Sequence, residues 1–272
     1  MPNLVFLHAN GYPPECYQLL FERLAADYQL HAMPMRPLWP AANPRDLDNW
    51  RLLADDFQNY LDQQQLERPF VVGHSFGAIA ALRAAIRQPG RIRALVLIDP
   101  VLFEPHIILF WKLIRALGLA YKLHPLAPVA LKRRRKFDDL DGIFKRFRRY
   151  SVFRYFSDEA LRAYIQGITQ PAAGGGYELR YSPEWEARIY VTGVSADLEL
   201  WRGLKGFPVP TLILRGAETD TFHASAARRV ERVNPAIRVE TIPQSTHLLA
   251  LERPAEVAQK IEQFFAQYRP IS

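Results

Sequence analysis

Six short runs, most of them apolar throughout, are each trailed by a stretch of different rhythm, and this alternation constrains the fold more than any other feature of the chain. The runs are NLVFLHA (3–9), YQLHAMPM (28–35), PFVVGHS (69–75), IRALVLIDP (92–100), VPTLILRG (209–216) and IRVETIP (237–243). Helical periodicity follows at about 15–27, 45–66, 76–88, 222–233 and 254–268. Strands that are apolar at every position, rather than at every second one, are covered on both faces. Strand followed by helix, repeated, gives parallel strands joined by crossovers. The expectation is an α/β fold: a doubly wound, mostly parallel sheet of about six strands.

Between Phe103 and Gly203 the alternation stops and the sequence turns helical, aromatic and basic. This predicts an insertion into one core rather than a second sheet. Residues 132–149 carry nine Lys or Arg against three Asp, which accounts for most of the formal net charge of +7. With 49% apolar residues and 23% charged, neither a disordered nor a fibrous chain is expected. The single cysteine, Cys16, has no intrachain disulfide partner. The N-terminal MPNLVFLHANG lacks a basic lead and a small-residue cleavage site, so the cytoplasm is the expected compartment. The most apolar stretch, from His106, is interrupted by Lys112 and Arg115 and reads as an amphipathic helix, not a transmembrane segment. The basic run has no nucleic-acid-binding motif beside it, so no nucleic acid is expected.

VVGHSFGA sets Ser75 between Gly73 and Gly77 where strand becomes helix. A residue in so sharp a turn needs neighbours without side chains, and the turn lifts its hydroxyl above the strand ends, beside the amides of the helix N-terminus. A serine hydroxyl attacks only when a base takes its proton, and that base needs a third group to fix its tautomer. His247 follows the last strand run, and Asp220 follows the run before it, so both are expected at the sheet edge that carries Ser75. The order Ser75, Asp220, His247 is the one this turn leads one to expect.

LVFLHANGYPP, VVGHSFGA, LVLIDP, LILRGAETD and STHLLALERP together resemble the α/β-hydrolase superfamily, in its serine-nucleophile branch with a helical cap. The resemblance covers roughly 3–103 and 204–268. It implies a core of residues 1–103 and 204–272 and a helical cap of residues 104–203. It also implies an oxyanion hole formed by the backbone N–H groups of Phe76 and Asn10. Unlike the family's usual sheet, this one lacks the first two strands, so YQLHAMPM is expected as an exposed edge. The acid often stands three residues after the strand-ending glycine, a place held here by Thr219. Asp220 is therefore preferred, with Glu218 and then Asp99 as the alternatives.

The expected activity is hydrolysis of an ester or thioester of a small, largely apolar molecule through an acyl-enzyme on Ser75. No cofactor and no metal are expected. A C–C bond hydrolase, a cofactor-free perhydrolase or an acyltransferase would keep the same three residues, and a non-catalytic binder on this fold is the alternative of another class. His8, Tyr12, His74, Trp111, Arg133, Arg134 and Arg135 are candidate substrate-binding residues, although His8 and His74 fit a backbone-positioning role better. In the expected cap, Ile107, Ile108, Phe110, Trp111, Ile114 and Leu117 offer an apolar face for an acyl group, and the basic stretch from Lys132 suits a distal anion. Monomer and homodimer are both open.

Overall fold

The computed structural model describes residues 1–269. Six strands, β1 (Asn3–Leu7), β2 (Gln29–Met33), β3 (Phe70–His74), β4 (Ala94–Ile98), β8 (Thr211–Gly216) and β9 (Arg238–Ile242), form one sheet in the order β2-β1-β3-β4-β8-β9. Every pairing in it is parallel. The central strands β3 and β4 are buried at every position, which is why their sequences do not alternate. The two edges are the polar strands: β2 is buried only at Met33 and β9 only at Ile242, and such polar edges discourage pairing with another chain.

The core helices are α1 (Gln18–Leu24), α2 (Arg51–Gln63), α3 (Phe76–Arg87), α11 (Ala224–Val233), α12 (Leu249–Glu252) and α13 (Pro254–Ala266). Alternate residues of β1 enter two separate apolar clusters, Val5 and Leu7 with α2, α3 and α11, Leu4 and Phe6 with α1 and α13. The sheet is thus covered on both sides. On the second side Phe265 stacks on Phe70 with ring centroids 4.5 Å apart, and burying each such ring contributes about 1.5–3 kcal/mol.

Residues 104–203 contribute no strand to this sheet. They form α4 (Pro105–Ala116), α5 (Ala120–Leu123), α6 (Ala127–Leu131), α7 (Leu140–Phe147), α8 (Asp158–Ile168), α9 (Pro183–Thr192) and α10 (Leu198–Gly203). The segment is mostly, not purely, helical. Three short strands, β5 (Lys136–Phe137), β6 (Thr169–Pro171) and β7 (Tyr177–Leu179), pair antiparallel in the order β5-β7-β6, with the glycine run at 174–176 turning β6 into β7. Several side chains tie the segment to the core. Trp50 Nε1 donates to the Ile189 carbonyl at 3.2 Å, Arg115 donates to the Asp48 carbonyl at 2.7 Å, and Trp201 Nε1 donates to the Phe103 carbonyl at 2.8 Å.

Candidate active site

Ser75 stands between the end of β3 and the start of α3 with φ 59° and ψ −120°. A non-glycine residue is held there only where its surroundings over-determine the backbone, at a cost of about 1–3 kcal/mol. The constraint is visible at Gly77: a side chain there would meet the carbonyl oxygens of Leu7 and His8 at 2.5 Å. Helix α3 therefore starts directly against the end of β1. This brings Phe76, its first residue, beside the 8–11 loop. Neither the Phe76 nor the Asn10 backbone N–H is engaged in a hydrogen bond among the described residues.

His247 lies in the turn between β9 and α12. Its Nε2 is 2.9 Å from Ser75 Oγ, and its Nδ1 is 2.8 Å from Asp99 Oδ1. A carboxylate only accepts, so Nδ1 carries the proton and Nε2 is left to accept from the Ser75 hydroxyl. Hydrogen bonds thus run without a gap from Asp99 through His247 to Ser75.

The expected acid, Asp220, is not at this place. It is exposed, and its Oδ1 accepts from the Thr221 hydroxyl. Glu218 is also exposed and turns to Arg154 and Tyr155. The carboxylate that meets His247 is the third choice, Asp99, which directly follows β4 and is fully buried with φ 40°. The 216–222 loop, which was to supply the acid, instead supplies donors to it. Gly216 N–H reaches Asp99 Oδ2 at 2.9 Å, the Thr219 hydroxyl reaches Oδ1 at 2.6 Å and Phe222 N–H reaches Oδ1 at 3.4 Å. Thr219, at the place where an acid often stands, hydrogen-bonds the carboxylate that follows the neighbouring strand.

The two flanking histidines, candidate substrate contacts for which a backbone-positioning role fitted better, are turned to backbone and to Tyr17. His8 and His74 are fully buried with both ring nitrogens engaged. His8 Nδ1 donates to the Ala9 carbonyl at 2.9 Å and Nε2 accepts from Met35 N–H at 3.2 Å. For His74, the His247 carbonyl at 2.8 Å can only accept, so Nε2 carries the proton and Nδ1 accepts from the Tyr17 hydroxyl at 2.7 Å. The Tyr17 oxygen in turn accepts from Ala9 N–H at 3.0 Å. One chain of hydrogen bonds, through Tyr17 and His74, therefore joins the 8–11 loop to the backbone of His247. Burial pushes His8 down to about 4 and His74 down to about 3, so both rings stay neutral donors and acceptors.

The inserted segment closes over the same loop. The Tyr181 hydroxyl donates to Asn10 Oδ1 at 2.8 Å, and Asn10 Nδ2 donates to the Glu186 carbonyl at 3.0 Å. Of the three candidate arginines, only Arg133 turns inward. It meets Glu186 Oε2 at 2.5 Å and stands where a side chain on Gly11 would touch its Nη1 at 3.5 Å. Burial works against its charge, but Tyr164 and Glu186 outweigh that and hold it protonated. Arg134 and Arg135 are exposed and turn to Asp138 and Glu184, away from the 8–11 loop. Tyr12 lies against Tyr164 with ring centroids 5.2 Å apart, and Trp111 meets His124 edge-on at 5.1 Å. The apolar face expected on α4 divides: Ile108 and Ile114 are buried, whereas Phe110 and Leu117 are 64% and 61% exposed. Tyr17, Tyr181 and Glu186 were not singled out from the sequence, where nothing marks a tyrosine or glutamate as a partner of His74, 57 positions on, or of Asn10, more than 170 positions back. Asp99 did carry a signal, an acid directly after a fully apolar strand run.

The family profile described as "Alpha/beta hydrolase family" matches residues 4–260. The chain is similar to 2-(acetamidomethylene)succinate hydrolase of Mesorhizobium japonicum, 23% identical over 265 residues, covering 97% of this chain and 87% of that one. It is also similar to an sn-1-specific diacylglycerol lipase of Mus musculus, 22% identical over 273 residues, covering 98% of this chain and 81% of the lipase. Among solved structures, an E-2-(acetamidomethylene)succinate hydrolase superposes with a TM-score of 0.76 at 21% identity, covering 97% of this chain and 91% of that one. An esterase of Mycobacterium tuberculosis superposes with a TM-score of 0.74 at 19% identity, covering 97% and 85%.

Proposed function

Since the chain belongs to the alpha/beta hydrolase family, we propose that it is a serine hydrolase of esters or thioesters, with Ser75 as nucleophile, His247 as base and Asp99 as the group that orients it. The observation that carries this reading is the unbroken contact from Asp99 Oδ1 to His247 Nδ1 and from His247 Nε2 to Ser75 Oγ. His247 takes the Ser75 proton as Oγ attacks the acyl carbon, and the Phe76 and Asn10 amides hold the oxyanion that forms. The proton then passes to the leaving alcohol or thiol. Water, activated by the same imidazole, releases the acid.

Residues 104–203 act in this reading as the cap, with Tyr12, Tyr164 and Arg133 near the 8–11 loop to receive the substrate. Arg133 suits a carboxylate or phosphate at the far end of an otherwise apolar acyl group. A fluorophosphonate probe with peptide mapping tests the nucleophile: it should label Ser75 in the folded protein and leave Ser75→Ala unlabelled. An unlabelled, folded wild type would overturn the reading. A panel of p-nitrophenyl esters and acyl thioesters then decides which bond is preferred.

A further inference from the structure

The described residues expose thirteen large hydrophobic side chains, and ten of them lie within residues 109–131. On α4 and the residue that caps it they share one face: Leu109, Phe110, Leu113 and the capping Leu117 are 54–64% exposed and follow helical spacing. The face continues over α5 and α6 with Leu123 and Val129. Monomeric proteins rarely leave so contiguous an apolar surface open to water without a use for it. Nor is the surface a loose flap. The opposite face of α4 is fixed by buried Ile108 and Ile114, and Arg115 donates to the Thr192 and Asp48 carbonyls and to Ser195 Oγ.

The charges within this segment are of one sign. Between Glu104 and Asp138 the chain has no acidic residue and eight Lys or Arg, and the exposed Lys112, Lys122 and Lys132 are interleaved with the apolar side chains. A second copy is a poor occupant, because two-fold pairing of this face would set lysines against lysines. An anionic bilayer suits both halves of the pattern: aliphatic side chains enter the acyl boundary while the lysines meet headgroup phosphates.

We propose that the outer face of α4 to α6 docks the protein on membranes bearing anionic phospholipids. It does so peripherally, as no helix among the described residues is long and apolar enough to cross a bilayer. The face lies directly behind α9, against which His124 stacks on Tyr190 at 5.2 Å, and α9 carries the Glu186 that holds Asn10. The proposal is independent of the reaction at Ser75.

The test is flotation of the full chain with vesicles of phosphatidylcholine alone or mixed with phosphatidylglycerol at seven to three. The wild type should float with the mixed vesicles, less so at high salt. Each of Lys112→Gln, Lys122→Gln and Lys132→Gln should lower the partition coefficient about fivefold. The triple variant Phe110→Ser, Leu113→Ser, Leu117→Ser removes only exposed side chains, so it should keep the wild-type Tm and lose flotation. A wild type that stays at the bottom of the gradient overturns the proposal, as does a triple variant that floats like wild type. Sedimentation equilibrium showing a dimer that the triple variant dissolves, without vesicle binding, would assign the face to a second copy instead.

Discussion

Asp99 and His247, 148 positions apart in the chain, meet at 2.8 Å, while Asp220, on the loop after the next strand, faces solvent. Asp99→Asn should therefore lower kcat for a p-nitrophenyl ester by roughly a thousand- to ten-thousand-fold, since the amide no longer fixes the tautomer that leaves Nε2 free. Asp220→Asn should leave kcat unchanged. Steady-state kinetics of the two variants decide it, and the reverse pattern would return the acid to the 216–222 loop.

The backbone at Ser75 stores strain that a glycine would not. Ser75→Gly should abolish turnover and yet raise stability in urea by about 1 kcal/mol, the relieved strain exceeding the added freedom of the unfolded chain. Ser75→Ala should abolish turnover without that gain. Equal midpoints for the two variants would contradict a strained turn.

At Gly77 the opposite holds, because the space is filled by backbone. Gly77→Ala must move the ends of β1 and α3 apart and should destabilise by about 3 kcal/mol or more. Gly90→Ala, with nothing within 4 Å, should be neutral or stabilise by up to about 1 kcal/mol. Thermal denaturation of both variants separates the close approach from a general intolerance of alanine.

His74 is held neutral by burial, with its pKa lowered from 6.5 to about 3, so its contribution to stability is present above 6.5 and is withdrawn as pH falls towards 3. Below 6.5 the wild type should lose stability faster than His74→Asn by about 1.4 kcal/mol per pH unit. Urea titrations between pH 7 and 5 measure the difference. Independently, the His74 ring-proton NMR shift should keep its neutral value at pH 5.

Arg133 is the candidate arginine that faces the 8–11 loop, while Arg134 and Arg135 face solvent. Arg133→Ser should raise KM for an ester with a distal carboxylate relative to its neutral analogue. Arg134→Ser and Arg135→Ser should leave both values alone. Equal responses to the two esters would place the carboxylate elsewhere.

The parallel sheet could be read because burial on both faces writes itself into β3 and β4 as unbroken apolar runs. The strands β5, β6 and β7, two or three residues long, are too short to show any period. The turn at Ser75 was equally legible, since a glycine on either side of a strand-to-helix junction has few other uses. The acid was not. Asp99 and Asp220 both follow strands that end at the same edge, and only the path of each loop decides which carboxylate reaches the imidazole. For His8 and His74 the sequence left substrate contact open while favouring a backbone-positioning role, and both are buried with ring nitrogens engaged by backbone and by Tyr17. Partners such as Tyr17, Tyr181 and Glu186 become visible only once distant segments are brought together.

The hydrogen bond from Trp201 Nε1 to the Phe103 carbonyl pins the entrance of the inserted segment to its exit. With those two points joined, the ends of the segment leave and rejoin the sheet side by side, much as a short hairpin would. Lengthening a flexible tether costs little, about 0.6 kcal/mol per doubling. The neck is thus the hinge point of any graft, and a segment of different size placed there would keep the strand ends together while still having to replace the contacts that Tyr181 and Glu186 make with Asn10.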